Sequence, residues 1–466
     1  MARRRAAGLF AMKTAVIGGG GFRTPTLHGC LVRVADRVGI DEIVLHDPDA
    51  DRLATIGAVI AGLDRERGGT AVPLRTTTVL EDAVDGAGAV LTAIRVDGGE
   101  ARTIDEEVPL SLGVLGQETV GPGGIVFALR TVPVMRAIAD VVRERAPIAW
   151  FVNFTNPAGI VTQAVRDVLG ERAVGICDSP AALCARVAAA LGRSPHALAF
   201  DYAGLNHLGW LLAARTADGE DALPGLLADD DRLARIEEAR LFGSERLRAL
   251  GAIPNEYLVY LDRAREITEA FRRDGARGAI VQAQQRAFFL EASPDAPADA
   301  LAAWRRARDA RHGTYLAEGW ATAGSAPPTG PASGRDDGPG DEGYAGVAVD
   351  FLAASAAAEP TRLILDAPSG DRLDGVEDGE IAEVTCEVSR DGVRPLPGRS
   401  LPDDAAELVR RIKEVERLTL RAALESSRRL ALEAIAAHPV VPTRDVAAQM
   451  LDAYLQRHTT LAERLR

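Results

Sequence analysis

The sequence predicts an α/β protein, with a Rossmann-like doubly wound sheet followed by an α+β half. Three observations carry that expectation. A short β-rich run ends in a glycine cluster, KTAVIGGGGFRTP at 13–25. A second strand-like run ends on an acidic residue, DEIVLHDPD at 41–49. Strand and helix patterns then alternate to about residue 200. Such alternation specifies a mostly parallel sheet with helices on its faces and ligands at the carboxyl ends of its strands.

Length and composition set the frame. At 466 residues the chain exceeds what one ordinary core supports, and two domains are expected, at 12–200 and 201–466, behind a disordered extension at 1–11. The extension is basic, and its apolar stretch is shorter than the roughly 7–15 residues of a secretory leader. With 47% hydrophobic and 26% charged residues a core is readily built. The net charge of -13 argues against nucleic acid as a partner, since backbone recognition needs a basic surface. Cys30, Cys177, Cys184 and Cys386 form no CxxC pair, so neither a disulfide framework nor a structural zinc is expected. Cys30, Cys184 and Cys386 read as small core residues in a reducing, cytoplasmic protein. No segment approaches the ~18 uninterrupted apolar residues of a membrane span.

The first element is a strand running into Gly18, Gly19, Gly20, Gly21 and Phe22, then a helix through LHGCLVRVADRV. Glycine suits a tight turn whose backbone approaches a pyrophosphate at a helix N-terminus. Arg23 stands where the third glycine of GxGxxG would be, so the turn alone is a weak signal. Asp47 strengthens it, because an acidic residue ending the second strand can bond the ribose hydroxyls of NAD. A buried glycine turn and an ordinary loop aspartate are the alternative.

Further strands are expected at 71–78 (AVPLRTTT), 88–96 (GAVLTAIRV), 148–155 (IAWFVNFT) and 173–177 (AVGIC). Polar residues gather at their ends: Arg95, Asn153, Asn156, Cys177 and Asp178. The asparagines of VNFTNPAG can serve a hydroxyl-rich ligand or a simple turn. In the second half, GLNHLGW at 204–210 places His207 after a β-like run. With Cys177 it makes a thiolate and imidazole pair suited to a divalent transition metal with open positions. IPNEYLVYL at 253–261 carries Tyr257 and Tyr260. Packing suffices for Tyr260, whereas Tyr257 could act as a base if a nearby cation lowered its pKa.

The glycine-rich start, IRVDGGEARTIDEEVPL (94–110), GVLGQETVGPGG (113–124), NFTNPAG, ICDSP, GLNHLGW and IPNEYL follow one another in a recognisable order. In that order they resemble the NAD- and manganese-dependent glycoside hydrolases of family 4, from about residue 13 to the C-terminus. The resemblance implies a C-terminal half like that of lactate and malate dehydrogenases, and a homodimer or homotetramer. It implies Cys177 and His207 as ligands of Mn²⁺ or another divalent metal, Asp178 as the acid and Tyr257 as the base. Arg102, Asn156 and Arg277 become substrate contacts, with Arg95 a further cationic one, and Gly18 to Gly21, Phe22 and Asp47 hold NAD.

The implied reaction removes a hydride from sugar C3, takes the C2 proton, expels the glycosidic oxygen and returns the hydride. The motifs look closest to 6-phospho-β-glucosidases, so the expected partner is a small glycoside of that kind. 6-Phospho-α-glucosidase, α-glucosidase and α-galacturonidase are alternatives within the family. A hydroxyacid dehydrogenase and a silent NAD or sugar sensor are alternatives outside it. Phospho-sugar members carry an RGGxYYS-like segment; here DEGYAGVA (341–348) lacks the arginine and follows SAPPTGPASGRDDGPG, which reads as a flexible loop. Arg23, Arg95, Arg102 and Arg277 offer other partners for a 6-phosphate.

Overall fold

Short apolar runs, buried on both faces except in the half-exposed edge strand Leu74–Thr77, form the strands of one half of the sheet. These are β1 (Met12–Ile17), β2 (Ile40–His46), β3 (Leu74–Thr77), β4 (Ala89–Thr92), β5 (Trp150–Asn153) and β6 (Ala173–Gly175). They pair in parallel in the order β3-β2-β1-β4-β5-β6. That is the doubly wound order, with its direction reversing between β1 and β4. Such strands read as continuous Val, Ile and Leu because helices cover both faces, and Ile17, Val44, Leu45, Val90, Leu91 and Val152 are all buried. The structure, a computed structural model, describes residues 11–69, 72–312, 317–324 and 343–465. The extension expected at 1–11, except Ala11, and the Pro/Gly stretch at 325–340 lie outside the described residues.

Two strands end earlier than their apolar runs. β4 stops at Thr92, and the chain through Ala93 to Val96 leaves the sheet to wall a cavity. β6 stops at Gly175, so Cys177 and Asp178 stand beyond the strand rather than on it.

The second half supplies β7 (Ala199–Leu205), β8 (Leu208–Arg215), β9 (Ile253–Pro254), β10 (Thr361–Pro368), β11 (Ile381–Ser389) and β12 (Gly392–Pro395). These extend the same sheet as β6-β10-β11-β7-β8-β9, with β12 on β11. Every pairing past β6 is antiparallel. β7 and β8 form a hairpin whose tip is Asn206 and His207.

The C-terminal helices hold the helix Gly98–Ser111 in place. Tyr454 donates to the Asp105 backbone oxygen (2.8 Å), and Arg130 grips the Asp105 carboxylate through two bonds of 2.9 and 2.6 Å. His458 Nε2 lies 3.0 Å from the same carboxylate. A buried charge needs partners of this kind, and these fix the helix that carries Arg102. Among the described residues no helix is long and apolar enough to cross a membrane.

Candidate active site

The glycine turn is shaped by what surrounds it. The amides of Gly18 and Gly19 both donate to His46 O, at 2.9 and 2.7 Å, tying the turn to the end of β2. Gly18 has φ 89°, and a Cβ there would lie 2.6 Å from the carbonyl oxygen of Ala93. A Cβ at Gly19 would lie 2.6 Å from Leu45 Cβ. The backbone therefore threads between the ends of β2 and β4, where only glycine fits. Asp47 accepts from Gly20 N and from Asp49 N, both at 3.1 Å, which orients its carboxylate. Phe22 packs edge-on against Phe288 at 5.3 Å, and its carbonyl accepts from Trp304 Nε1 at 2.9 Å. Phe22 thus anchors the turn to helices of the second half as well as facing the cavity.

A cavity of about 920 Å³ opens at the carboxyl ends of the parallel strands. Gly18, Gly21, Phe22 and Asp47 are on its wall, and so are Arg95, Arg102, Asn156, Asp178, Tyr257 and Arg277. Gly19 and Gly20 complete the turn without lining it. Cys177 and His207 are each 3% exposed and sit behind that wall. His207 instead lines a separate cavity of about 60 Å³. Asn153 is saturated inside, its amide bonding Thr155 O and Thr162 Oγ1 while its oxygen accepts from Thr92 and Thr155, so it closes a turn and offers nothing to a ligand. Tyr260 is buried against Phe271, the packing role expected of it.

Cys177 Sγ lies 3.9 Å from Asp178 Oδ1. Burial pushes its thiol up, and the charges of Glu383 and Asp178 push it further. Such a thiol ionises readily only beside a cation. Asp178 is at the N-cap of the helix Ser179–Ala190, yet its carboxylate does not cap it. His207 has φ 63°, a conformation rare outside glycine. Its Nδ1 is 3.0 Å from Thr119 Oγ1, while its buried Nε2 has no hydrogen-bond partner among the described residues. Tyr257 stacks flat on the imidazole, ring centroids 3.9 Å apart.

A buried chain of bonds links these elements. Tyr257 N donates to Asn255 Oδ1 (2.9 Å), Asn255 Nδ2 to Tyr202 OH (3.3 Å), and Tyr202 OH to Glu383 Oε2 (3.0 Å). Asn206, beside His207, donates to the other Glu383 oxygen at 3.1 Å. Glu383 thereby ties the Tyr257 segment to the His207 hairpin, and its field reaches Cys177. Its cross-strand neighbour is Asp366, whose carboxyl is pushed up to about 8, chiefly by burial and then by Glu416.

Two residues of the site were not singled out from sequence. Glu118 bonds Arg95 at 2.7 Å and Arg102 at 3.0 Å. Burial pushes its carboxyl up, but Arg102, Arg95 and Arg277 outweigh that and hold it at about 2. Arg102 also pairs with Glu106, which accepts from Gly278 N where the helix Arg277–Glu291 begins. The three guanidinium groups around Glu118 and Glu106 leave a formal positive surplus, suited to an anionic ligand. Tyr344 lines the cavity under Arg23, 5.1 Å from its ring centroid, and stacks on Phe154. Both had a signal: Glu118 lies in GQETVGPGG and Tyr344 in DEGYAGVA.

The residues fit a dinucleotide, since the glycine turn and the Asp47 carboxylate wall the cavity where the helix Thr24–Val38 begins. They also fit a divalent metal in a limited way. His207 presents a buried, unpartnered Nε2, and Cys177 is a second soft donor, but no group of three or more His, Cys, Asp or Glu side chains comes together for a metal among the described residues. Such a pair requires oxygen ligands from a substrate or water to complete it.

The family model described as "Family 4 glycosyl hydrolase" matches residues 13–193, and that for the "Family 4 glycosyl hydrolase C-terminal domain" matches residues 202–441. A probable 6-phospho-β-glucosidase of Bacillus subtilis is 29% identical over 459 residues, 96% of each chain. The 6-phospho-α-glucosidase 1 of Lacticaseibacillus paracasei is 27% identical, covering 94% of this chain and 95% of its own. Among solved structures, the 6-phospho-β-glucosidase of Thermotoga maritima, with manganese, NAD+ and glucose-6-phosphate, superposes with a TM-score of 0.77 at 25% identity. The match covers 96% of this chain and 99% of that one.

Proposed function

The chain belongs to family 4 of the glycosyl hydrolases and is a glycosidase, and from that premise we propose that it cleaves 6-phospho-β-glucosides with NAD and a divalent metal. The observation that carries the proposal is the single cavity in which the glycine turn, Asp47, Asp178, Tyr257 and the Arg95, Arg102 and Arg277 cluster meet. The Thermotoga enzyme's complex with manganese, NAD+ and glucose-6-phosphate, at 25% identity over nearly the whole chain, supports the ligand set.

When bound, NAD would accept and return the C3 hydride, and the metal would polarise the neighbouring sugar oxygens as a Lewis acid. Cys177 and His207 would hold that metal, and the Asp47 carboxylate would take the ribose hydroxyls. Arg95, Arg102 and Arg277 clamp the 6-phosphate, and Asn156 bonds a sugar hydroxyl. With C3 at the ketone level the C2 proton is acidic, and Tyr257 removes it. Asp178 protonates the glycosidic oxygen as the C1–O bond breaks. Water then adds at C1, giving up a proton to Asp178 while Tyr257 returns one to C2, and hydride return at C3 would restore the sugar. NAD-dependent glycosidases depart from the two-carboxylate scheme of most glycosidases, so a flanking carboxylate pair is not required.

The test is incubation with p-nitrophenyl 6-phospho-β-glucoside, NAD, Mn²⁺ and a reductant, following nitrophenol and NADH together. Nitrophenol without net NADH is the expected result. Stoichiometric NADH would indicate a dehydrogenase, and silence on phosphorylated and plain α and β glycosides a sensor. Because a relative of similar identity is named a 6-phospho-α-glucosidase, the α anomer is run in parallel; faster cleavage of it would reverse the anomeric assignment.

A further inference from the structure

We propose that Thr119, backed by Gln117, is a positioning residue that fixes the tautomer of His207 and keeps its Nε2 lone pair ready for a metal ion. The proposal rests on reading His207 as a metal ligand and deepens that reading.

The argument starts at Gln117. Its side-chain oxygen faces the backbone N–H groups of Thr119 (2.8 Å) and Val120 (2.5 Å). Two backbone donors can face only an acceptor, so the amide cannot be flipped and its oxygen is fixed in place. The Thr119 hydroxyl lies 3.1 Å from that same oxygen. A hydroxyl has one proton, and against a carbonyl oxygen it must donate it. Thr119 Oγ1 is then left as an acceptor toward His207 Nδ1 at 3.0 Å, so Nδ1 carries the imidazole proton. In a neutral ring Nε2 is therefore the lone-pair nitrogen, and Nε2 is the buried atom without a hydrogen-bond partner among the described residues. Metal-binding histidines are oriented in this way by a bond at their other nitrogen. The alternative tautomer would set two acceptors against one another across Nδ1 or Gln117.

The sequence places the parts far apart. Gln117 and Thr119 sit in the turn before the helix Gly123–Arg145, while His207 tips the β7–β8 hairpin. Their meeting couples the first half of the chain to the second at the proposed metal.

The experiment titrates the full-length protein with Co²⁺, read by its thiolate-to-cobalt absorption, in wild type, Thr119→Val and Thr119→Ser. Thr119→Val keeps the shape and loses the acceptor; we expect Co²⁺ affinity to fall about 10–100-fold, as for other outer-shell partners, with Thr119→Ser restoring most of it. NAD affinity and thermal midpoint serve as controls and should hold. In parallel, ¹⁵N-histidine NMR of the metal-free wild type, with His207 assigned through His207→Gln, should show the Nδ1–H form. Wild-type affinity in Thr119→Val, equal losses in Val and Ser variants, or an Nε2–H tautomer would each overturn the proposal. A wild-type protein showing the Nδ1–H form but no cobalt band would instead overturn the Cys177 and His207 metal reading, and with it the role given to Thr119.

Discussion

The ring of Tyr257 lies on the ring of His207 with centroids 3.9 Å apart and planes within 5° of parallel. The proposed base and the proposed metal ligand are thus one packed unit. Tyr257→Phe keeps the stack and removes only the hydroxyl, so glycoside cleavage should fall about 10²–10⁴-fold while Co²⁺ affinity stays near wild type. Tyr257→Ala should lose both, because His207 is then uncovered. Substrate carrying deuterium at C2 checks the chemistry: a kinetic isotope effect is expected in wild type.

Asp178 has its largest effect on poor leaving groups. Asp178→Asn should slow alkyl 6-phospho-glucosides about 10²–10⁴-fold and nitrophenyl ones far less, since a nitrophenolate departs without a proton. Equal losses on both substrates would place Asp178 outside the acid role.

Cys177→Ser replaces a soft donor with a hard, weakly acidic one. Activity should fall by about 10²-fold or more and the thiolate-to-cobalt band should vanish. Full activity without added metal would remove Cys177 from the site.

Glu118 sets an acid-side stability term. Its carboxyl ionises at about 2 against an ordinary 4.5, because Arg102, Arg95 and Arg277 outweigh burial. A depressed carboxylate contributes stability that is fully present above its ordinary pKa and is lost as pH falls toward 2. The size is on the order of 3 kcal/mol. Glu118→Gln should therefore be less stable than wild type at pH 6, and the gap should close on acidification, as read by denaturant unfolding at a series of pH values.

Asp366 has the opposite sign. Burial, with Glu416, raises its carboxyl to about 8 from an ordinary 3.8, so it stays protonated in the fold while the unfolded chain releases its proton. Stability is lost as pH rises from about 4 to 8. Asp366→Asn is neutral throughout and should gain on wild type over that window by at least ~1 kcal/mol. An unchanged difference between pH 5 and pH 8 would contradict the shift.

The parallel half of the fold could be read because its signals are local. Gly18 to Gly21 and Asp47 lie within one strand–turn–helix–strand unit, and each following apolar run found its strand. Strand ends were read less well. GAVLTAIRV continues apolar past Thr92 because Ile94 and Val96 wall the cavity, and hydrophobicity does not distinguish that from a strand. The chemistry-bearing residues of the candidate site, Cys177, Asp178, His207 and Tyr257, were singled out through motif order. Glu118 and Thr119 were legible only as part of GQETVGPGG and Glu383 not at all, since what each does is set by partners on other elements. The pairing of β10 with β6 through Asp366 and Gly175 likewise leaves no mark on either segment alone.

That last pairing bears on how the protein is made. During synthesis the six parallel strands can assemble as soon as residue 175 has emerged, but the outer edge of β6 stays bare until β10 and β11 arrive. Cys177 follows that edge directly, and β7, which leads to His207, reaches the sheet only through β11. Long-range strand insertion of this kind is slow and leaves a pairing edge exposed in the nascent chain. The proposed metal pair is therefore assembled late, after nearly four hundred residues have been translated, so a chain truncated before β11 should bind Co²⁺ weakly or not at all and aggregate through its uncovered sheet edge.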